Sequence, residues 1–291
     1  MEDIVVGIGE ILWDIFPNGK ILGGAPANFA YHATQLGLNG YAISAIGNDE
    51  LGKEILDTLK DKHLHKIIET TEYPTGIVKV ELSDDGIPNY EICEGVAWDN
   101  IPFTKEMEEI AKKTKAVCFG SLAQRNNLSK QTINKFLDNV PDDALKIFDI
   151  NLRQNFYTKE IIENSFQKAN ILKINDEEII IVAKLLGLEG KSETEVAKII
   201  LKQYNLTGVI LTKGAFGSYI ICDEDALFLS TPKVEVADTV GAGDSFTAGF
   251  VASLLKGKSI QEAHKKAVEV SAYICTQHGA MPELPAYLKD I

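Results

Sequence analysis

The chain has 291 residues, 45% of them hydrophobic, enough to bury the core of one large domain. Its 29 basic and 42 acidic residues leave a net charge of −13, which argues against nucleic acid and membrane as partners and requires any phosphate site to be built locally. Four scattered cysteines without a CxxC pair (Cys93, Cys118, Cys222, Cys275), no apolar stretch of ~20 residues and no visible signal peptide lead us to expect reduced thiols and a cytoplasmic location.

Residues 4–9 form an apolar run ending in glycines, which reads as a buried strand. Residues 12–22 are turn-rich and apolar, and Gly23-Gly24-Ala25-Pro26-Ala27-Asn28 then opens a helix to about Leu36, with Gly37 as its stop. Residues 41–46 are strand-like, and after Gly47-Asn48-Asp49-Glu50-Leu51-Gly52 a helix is expected from about Lys53. This β-α-β-α order implies a parallel sheet. Between about Tyr73 and Asn100 the pattern breaks. Residues 75–82 and 88–94 alternate around a turn at Ser83-Asp84-Asp85-Gly86, as a hairpin too small for its own core. Residues 12–22 could join it, and we read the combination (12–22 with 73–100) as a lid on a single domain rather than an ordinary edge hairpin. Its exposed strand edges would invite pairing with a second copy, hence a homodimer through the lid. From Lys105 the alternation resumes, with strands at 116–119, 145–149, 171–174 and 209–212 and helical stretches between them. Residues 217–222 and 226–229 look like a second hairpin, and helices follow Asp244 and span about 259–276.

Open α/β sheets bind ligands beyond the carboxyl ends of their strands, so polar clusters there are the candidate sites. Asp14, Gly24 and Asn28 supply a carboxylate, a close backbone approach and a carboxamide suited to vicinal hydroxyls; a turn leading into a helix is the alternative. Asp149, Asn151 and Arg153 alternate after an apolar strand and would converge if the chain stayed extended; a turn with a surface ion pair explains them too. Asn175 and Glu178 form either a helix cap or a mount for hydrated Mg²⁺. Thr212, Lys213, Gly214 and Gly217 suit either a nucleotide lying on the backbone, with Lys213 near its phosphates, or a plain hairpin connection. No Walker sequence or hydrolase elbow occurs, and the five histidines show no ligand spacing, with His63 and His65 read as surface. Trp98 reads as core or lid packing.

The most informative stretch is Asp238-Thr239-Val240-Gly241-Ala242-Gly243-Asp244-Ser245-Phe246. Gly241, Ala242 and Gly243 precede an apolar run at helical spacing, which presents bare N–H groups at a helix N-terminus where the dipole favours an anion. Asp244 inside such a site makes sense if it faces a hydroxyl that must lose its proton as a phosphoryl group arrives. A capped helix after a Gly-rich turn is the alternative.

Taken together and in this order, Gly23-Gly24 to Asn28, Gly47 to Gly52, Asp149 to Arg153, Asn175 to Glu178 and the Asp238–Phe246 stretch resemble the ribokinase-like (PfkB) family of sugar kinases. The resemblance spans nearly the whole chain. It implies a three-layer α/β/α fold with a central mostly parallel sheet, a small β lid, and transfer of the ATP γ-phosphoryl to a sugar hydroxyl. It further implies Asp244 as catalytic base, Gly241, Ala242 and Gly243 as anion hole, and Asp14, Gly24, Asn28, Asn151 and Arg153 toward the sugar. Asn175 and Glu178 match the family's NxxE motif for Mg²⁺ and phosphate, and Thr212 to Gly217 part of the nucleotide site. Asp238 with the Val240 carbonyl resembles the monovalent-cation (K⁺) site of some members. Within the family, Gly-Gly-Ala-Pro-Ala-Asn resembles fructokinases, whereas ribokinases carry Lys and Gly at the positions of Ala25 and Pro26. Residues 90–99 depart from the plant-type fructokinase lid. Fructose is therefore the expected acceptor, with ribose, a nucleoside or 2-keto-3-deoxygluconate as alternatives, and a non-catalytic sugar or nucleotide sensor as the rival from another class. The helix dipole should hold Asp244 charged, as a weak base.

Overall fold

The computed structural model describes residues 3–17, 19–82, 88–223 and 225–291. The N-terminal part contains β1 (Ile4–Ile8), β2 (Leu12–Phe16), β3 (Gly19–Gly23), α1 (Ala25–Gln35), β4 (Asn39–Gly47), α2 (Glu50–Asp61), β5 (His65–Thr71), β6 (Gly76–Leu82) and β7 (Pro88–Ile92). There follow α3 (Lys105–Ala111), β8 (Thr114–Phe119), α4 (Asn127–Asn139), β9 (Leu145–Asp149), α5 (Lys159–Lys168), β10 (Ile171–Asn175), α6 (Asp176–Leu186) and α7 (Glu193–Gln203). The chain closes with β11 (Gly208–Thr212), β12 (Ser218–Cys222), β13 (Asp225–Leu229), α8 (Ala242–Leu255), α9 (Ile260–Ile274) and α10 (Ala286–Lys289).

Nine strands form one sheet in the order β13-β12-β11-β10-β9-β8-β1-β4-β5. The seven from β11 to β5 pair in parallel, and only β12 runs antiparallel, to both β11 and β13. The physical reason lies in the strand sequences. Successive side chains enter opposite faces: Val5, Ala116, Ile147, Ile171 and Ile210 join the core under α1, α8 and α9. Their neighbours Val6, Val117, Phe148, Leu172 and Val209 join the core with Ile133 and Phe136 of α4, Ile162 of α5, Val182 of α6 and Val196 of α7. Strands apolar on both faces demand cover on both, which gives three layers.

Helix boundaries follow their caps. α2 begins three residues before the expected Lys53, because Asp49 accepts the Gly52 N–H at 2.8 Å and so starts the helix at Glu50. Ser192 and Ser259 cap α7 and α9 through capping boxes with Glu195 and Glu262. The edge strand β5 is absent from the sequence reading, since its apolar pair Ile67-Ile68 is flanked by polar residues at both ends. His65 therefore sits on a strand, stacked on Tyr41 at 4.9 Å between ring centroids. The four free cysteines form no disulfide; Cys118 is buried and the other three are half-buried.

The inserted segments build a second, four-stranded sheet, β3-β2-β6-β7. It is mixed, because β2 pairs parallel to β6 while both outer pairs are antiparallel. Residues 12–22 thus do join the 75–94 hairpin; the expected turn at 83–86 lies outside the described residues. The small sheet is tied down at its base. Asp49 accepts from the Thr75 N–H at 2.8 Å and the Thr75 hydroxyl at 2.6 Å, and Trp98, 1% exposed, packs beside Gly76. Arg125 stacks on Trp98 and Phe156 and pairs with buried Asp99 at 2.7 Å.

Candidate active site

One cavity of about 1420 Å³ lies beyond the carboxyl ends of the central strands. At one end the small sheet contributes Leu12, Asp14, Val78, Tyr90 and Ile92. At the other end lie Thr212, Gly214 and Gly217 from the β11–β12 connection, with Val234, Val236 and Cys275. Between them stand Lys173, Asn175 and the start of α8 from Gly241 to Asp244.

Gly241 caps α8 with φ 77°, a left-handed conformation that favours glycine, so the helix begins at Ala242. Asp244 therefore falls in the first turn, and the adjacent N–H groups have no partner within the helix. Asn28 reaches it from α1, donating Nδ2–H to Asp244 Oδ2 at 2.7 Å across 216 residues of sequence. Burial pushes the Asp244 carboxyl up to about 6, the nearby Asp149 charge pushes in the same direction, and Asn28, Lys173 and Arg153 oppose them. The expected weak base is corrected: loss of water around the carboxylate outweighs the helix dipole. A carboxylate near 6 is a more effective proton acceptor at neutral pH than one near 4.

Lys173 was missed in the sequence because it sits within an apolar strand. Its ammonium pairs with Asp149 at 3.1 Å, both side chains being nearly fully buried, and a Cβ on Gly243 would lie 2.9 Å from its Nζ. A positive charge thus adjoins the glycines where an anion would settle. Burial disfavours the charged ammonium, but the Asp149, Glu178 and Asp244 charges override that and raise its pKa.

The expected convergence of Asp149, Asn151 and Arg153 does not hold. β9 ends at Asp149, and Asn151 turns left-handed (φ 41°), which breaks the two-residue alternation. Asp149 points to Lys173, while Asn151 and Arg153 line the cavity. Glu178 takes the capping position that its spacing from Asn175 allows. Its Oε1 accepts the Leu152 N–H and its Oε2 the Asn175 N–H, each at 2.9 Å, while Asn175 Oδ1 accepts the Glu178 N–H. The pair is a complete capping box, and Asp176 and Glu177 face the cavity with Asn175 instead. Lys213 is not among the residues that line the cavity, and its ammonium is bound to Glu193 of α7 at 2.5 Å. Asp238 accepts from Val240 N–H at 3.1 Å and Gly279 N–H at 3.0 Å, which pins the loop before α8 to the segment after α9.

Asp14 and Gly24 both line the small-sheet end. Burial raises the Asp14 carboxyl to about 6, with Arg153 opposing. Gly24 (φ 123°) lets the start of α1 approach the β1–β2 connection, since a Cβ there would lie 2.5 Å from the Glu10 carbonyl oxygen. Glu10 is the second residue that sequence reading missed. It is 3% exposed and lines the cavity, yet it reads in sequence as an ordinary charge after a strand. Among the described residues no group of three His, Cys, Asp or Glu side chains is placed to hold a metal, and no helix is long and apolar enough to cross a membrane.

This architecture has relatives. The chain is 29% identical to an ATP-dependent 6-phosphofructokinase from Thermoanaerobacterium thermosaccharolyticum, over 97% of this chain and 90% of that protein. An uncharacterized sugar kinase from Pyrococcus horikoshii, solved in complex with ATP, superposes with a TM-score of 0.80 at 27% identity, covering 96% of this chain and 94% of that one. A Vibrio cholerae fructokinase solved with fructose, ADP and calcium shares the fold, with a TM-score of 0.81 at 23% identity over 99% and 98% of the two chains. The family model for the pfkB carbohydrate kinases matches residues 18–286, which takes in every strand from β3 onward and the start of α8, and the chain belongs to that family.

Proposed function

We propose that this carbohydrate kinase transfers the γ-phosphoryl group of ATP to a hydroxyl of free fructose. The observation that carries the reading is Asp244: a carboxylate raised to about 6, oriented by Asn28 and placed in the first turn of α8 beside Lys173. A sugar at the small-sheet end would present its hydroxyl to Asp244, which takes the proton as the oxygen attacks phosphorus. The first-turn N–H groups and the Lys173 ammonium would hold the charge that spreads over the transferring phosphoryl oxygens. Thr212, Gly214 and Gly217 would receive the nucleotide, with Val234 and Val236 offering apolar contact to its base. ATP use is supported by the ATP complex of the Pyrococcus relative, and fructose by the Vibrio complex and by the Gly23–Asn28 sequence.

Bound with ATP, Mg²⁺ supplies neutralisation of the phosphates. Asn175, Asp176 and Glu177, which line the cavity, are the residues that would hold its water shell, with Glu178 behind them accepting the Leu152 and Asn175 N–H groups. Asp238 and the Val240 carbonyl are the proposed place for K⁺. A cytoplasmic setting accords with the free thiols and with ATP as donor.

The test is ADP release from the purified protein with fructose, ribose, a nucleoside, 2-keto-3-deoxygluconate and fructose 6-phosphate. Fructose is expected to give the highest kcat/KM. A higher value with any other acceptor removes the fructose assignment, and release with none removes the kinase reading.

A further inference from the structure

We propose, resting on the sugar-kinase reading, that Glu10 is an acceptor-recognition residue: its carboxyl group pairs with a hydroxyl of an uncharged sugar and disfavours acceptors bearing a phosphate or carboxylate.

Glu10 lies two residues beyond the end of β1, at the carboxyl edge of the central sheet, and lines the cavity beside Asp14, Gly24 and Asn28. It is 3% exposed, and its Oε2 has no hydrogen-bond partner among the described residues. A buried carboxyl oxygen without a partner is costly and uncommon, and at the wall of a ligand cavity it marks a missing partner. Asn28 Oδ1 is a second such atom on the same wall, because the Nδ2 of that carboxamide is committed to Asp244. Both oxygens call for a proton donor. Sugar hydroxyls donate and accept, whereas a phosphate or carboxylate group offers acceptors and charge.

The charges at this end point the same way. Glu10, Asp14 and Asp244 are three acids, and Arg153 is the cation whose field acts on all of them. Burial raises Glu10 to about 7, with the Asp244 and Asp149 charges pushing further in that direction, so negative charge is already disfavoured here. Lys173 acts on Asp244 but on neither Glu10 nor Asp14, being paired with Asp149 beside Gly243. A sugar phosphate or sugar acid would have to compete with three carboxyl groups for one guanidinium.

The experiment compares wild type, Glu10→Ala and Glu10→Gln on fructose, fructose 6-phosphate and gluconate, with thermal melting as a folding control. Glu10→Ala should raise the fructose KM at least ~10-fold by loss of one hydrogen bond to a buried polar partner, while the ATP KM stays within about 3-fold. Glu10→Gln keeps the shape and removes the charge, and should raise the kcat/KM ratio of fructose 6-phosphate to fructose at least ~5-fold. If Glu10→Ala fails to fold, that ratio in Glu10→Gln decides. A wild-type fructose KM in Glu10→Ala, or an unchanged acceptor ratio in Glu10→Gln, overturns this role and leaves the kinase reading standing. Wild type that turns over fructose 6-phosphate or gluconate better than fructose also overturns it. Wild type that turns over none of the three acceptors overturns both.

Discussion

At the scale of single residues, the chemistry concentrates on a carboxylate whose surroundings reverse what its local sequence implies. Asp244 sits where a helix dipole stabilises negative charge, yet burial and Asp149 raise it to about 6. We predict that Asp244→Asn lowers kcat by at least ~10² with little change in ATP KM, because the amide cannot accept the proton; retention of most of the turnover would remove the base assignment. The same shift sets a pH dependence. A raised carboxyl is protonated, and so inactive as a base, below its pKa. Glu10, raised to about 7, feels the Asp244 charge, so the acid limb belongs to the pair. We expect kcat/KM for the acceptor to fall as pH drops through about 7 to 6 and to level off above; a flat profile down to pH 5 contradicts the assignment. Asp244 was legible in sequence because glycines flank it. Glu10 and Lys173 were not, since burial and partners beyond the local chain define their roles.

Elements contribute by where they end. α8 begins at Ala242 because Gly241 turns left-handed; the Ala242 N–H donates to the Thr239 carbonyl at 3.3 Å, and the Gly243 and Asp244 N–H groups share the first turn with the Asp244 carboxyl. Gly243 leaves room there for an anion, its missing Cβ facing Lys173 at 2.9 Å. A carboxylate introduced by Gly243→Asp would pair with Lys173 and fill the cradle. The expected result is loss of turnover by at least ~10³ with the fold retained, since the new charge meets an opposite one. Circular dichroism and ADP release separate the two effects, and near-normal activity would exclude this turn as the phosphoryl site. The β9 end teaches a related lesson. Alternation places Asp149, Asn151 and Arg153 on one side only while the strand continues, and the left-handed backbone at Asn151 turns the later two away from Asp149. The Asn175–Glu178 spacing suits both a cap and a metal mount, and the structure shows the cap, with Glu178 accepting two backbone N–H groups.

At the scale of the whole molecule, two segments, Leu12–Gly23 and Gly76–Ile92, make the small sheet that lines one end of the cavity. Ile21 and Tyr90, 40% and 49% exposed, lie on its outer strands β3 and β7. We propose that these lids pair two copies of the chain, covering apolar surface and unpaired strand edges together. Sedimentation should then show a dimer, and Ile21→Lys should shift it toward monomer; a wild-type monomer at all concentrations would refute the pairing. Periodicity and glycine placement were enough to specify a parallel sheet and the position of Asp244, and the ordered motifs carried the resemblance to the kinase family, because those signals reside in contiguous residues. The Asn28–Asp244 contact, the Lys173 charge beside Gly243, the unsatisfied Glu10 and the inward turn of Glu178 emerged only on folding. Each depends on burial and on partners from distant segments, and neither quantity is written in local sequence.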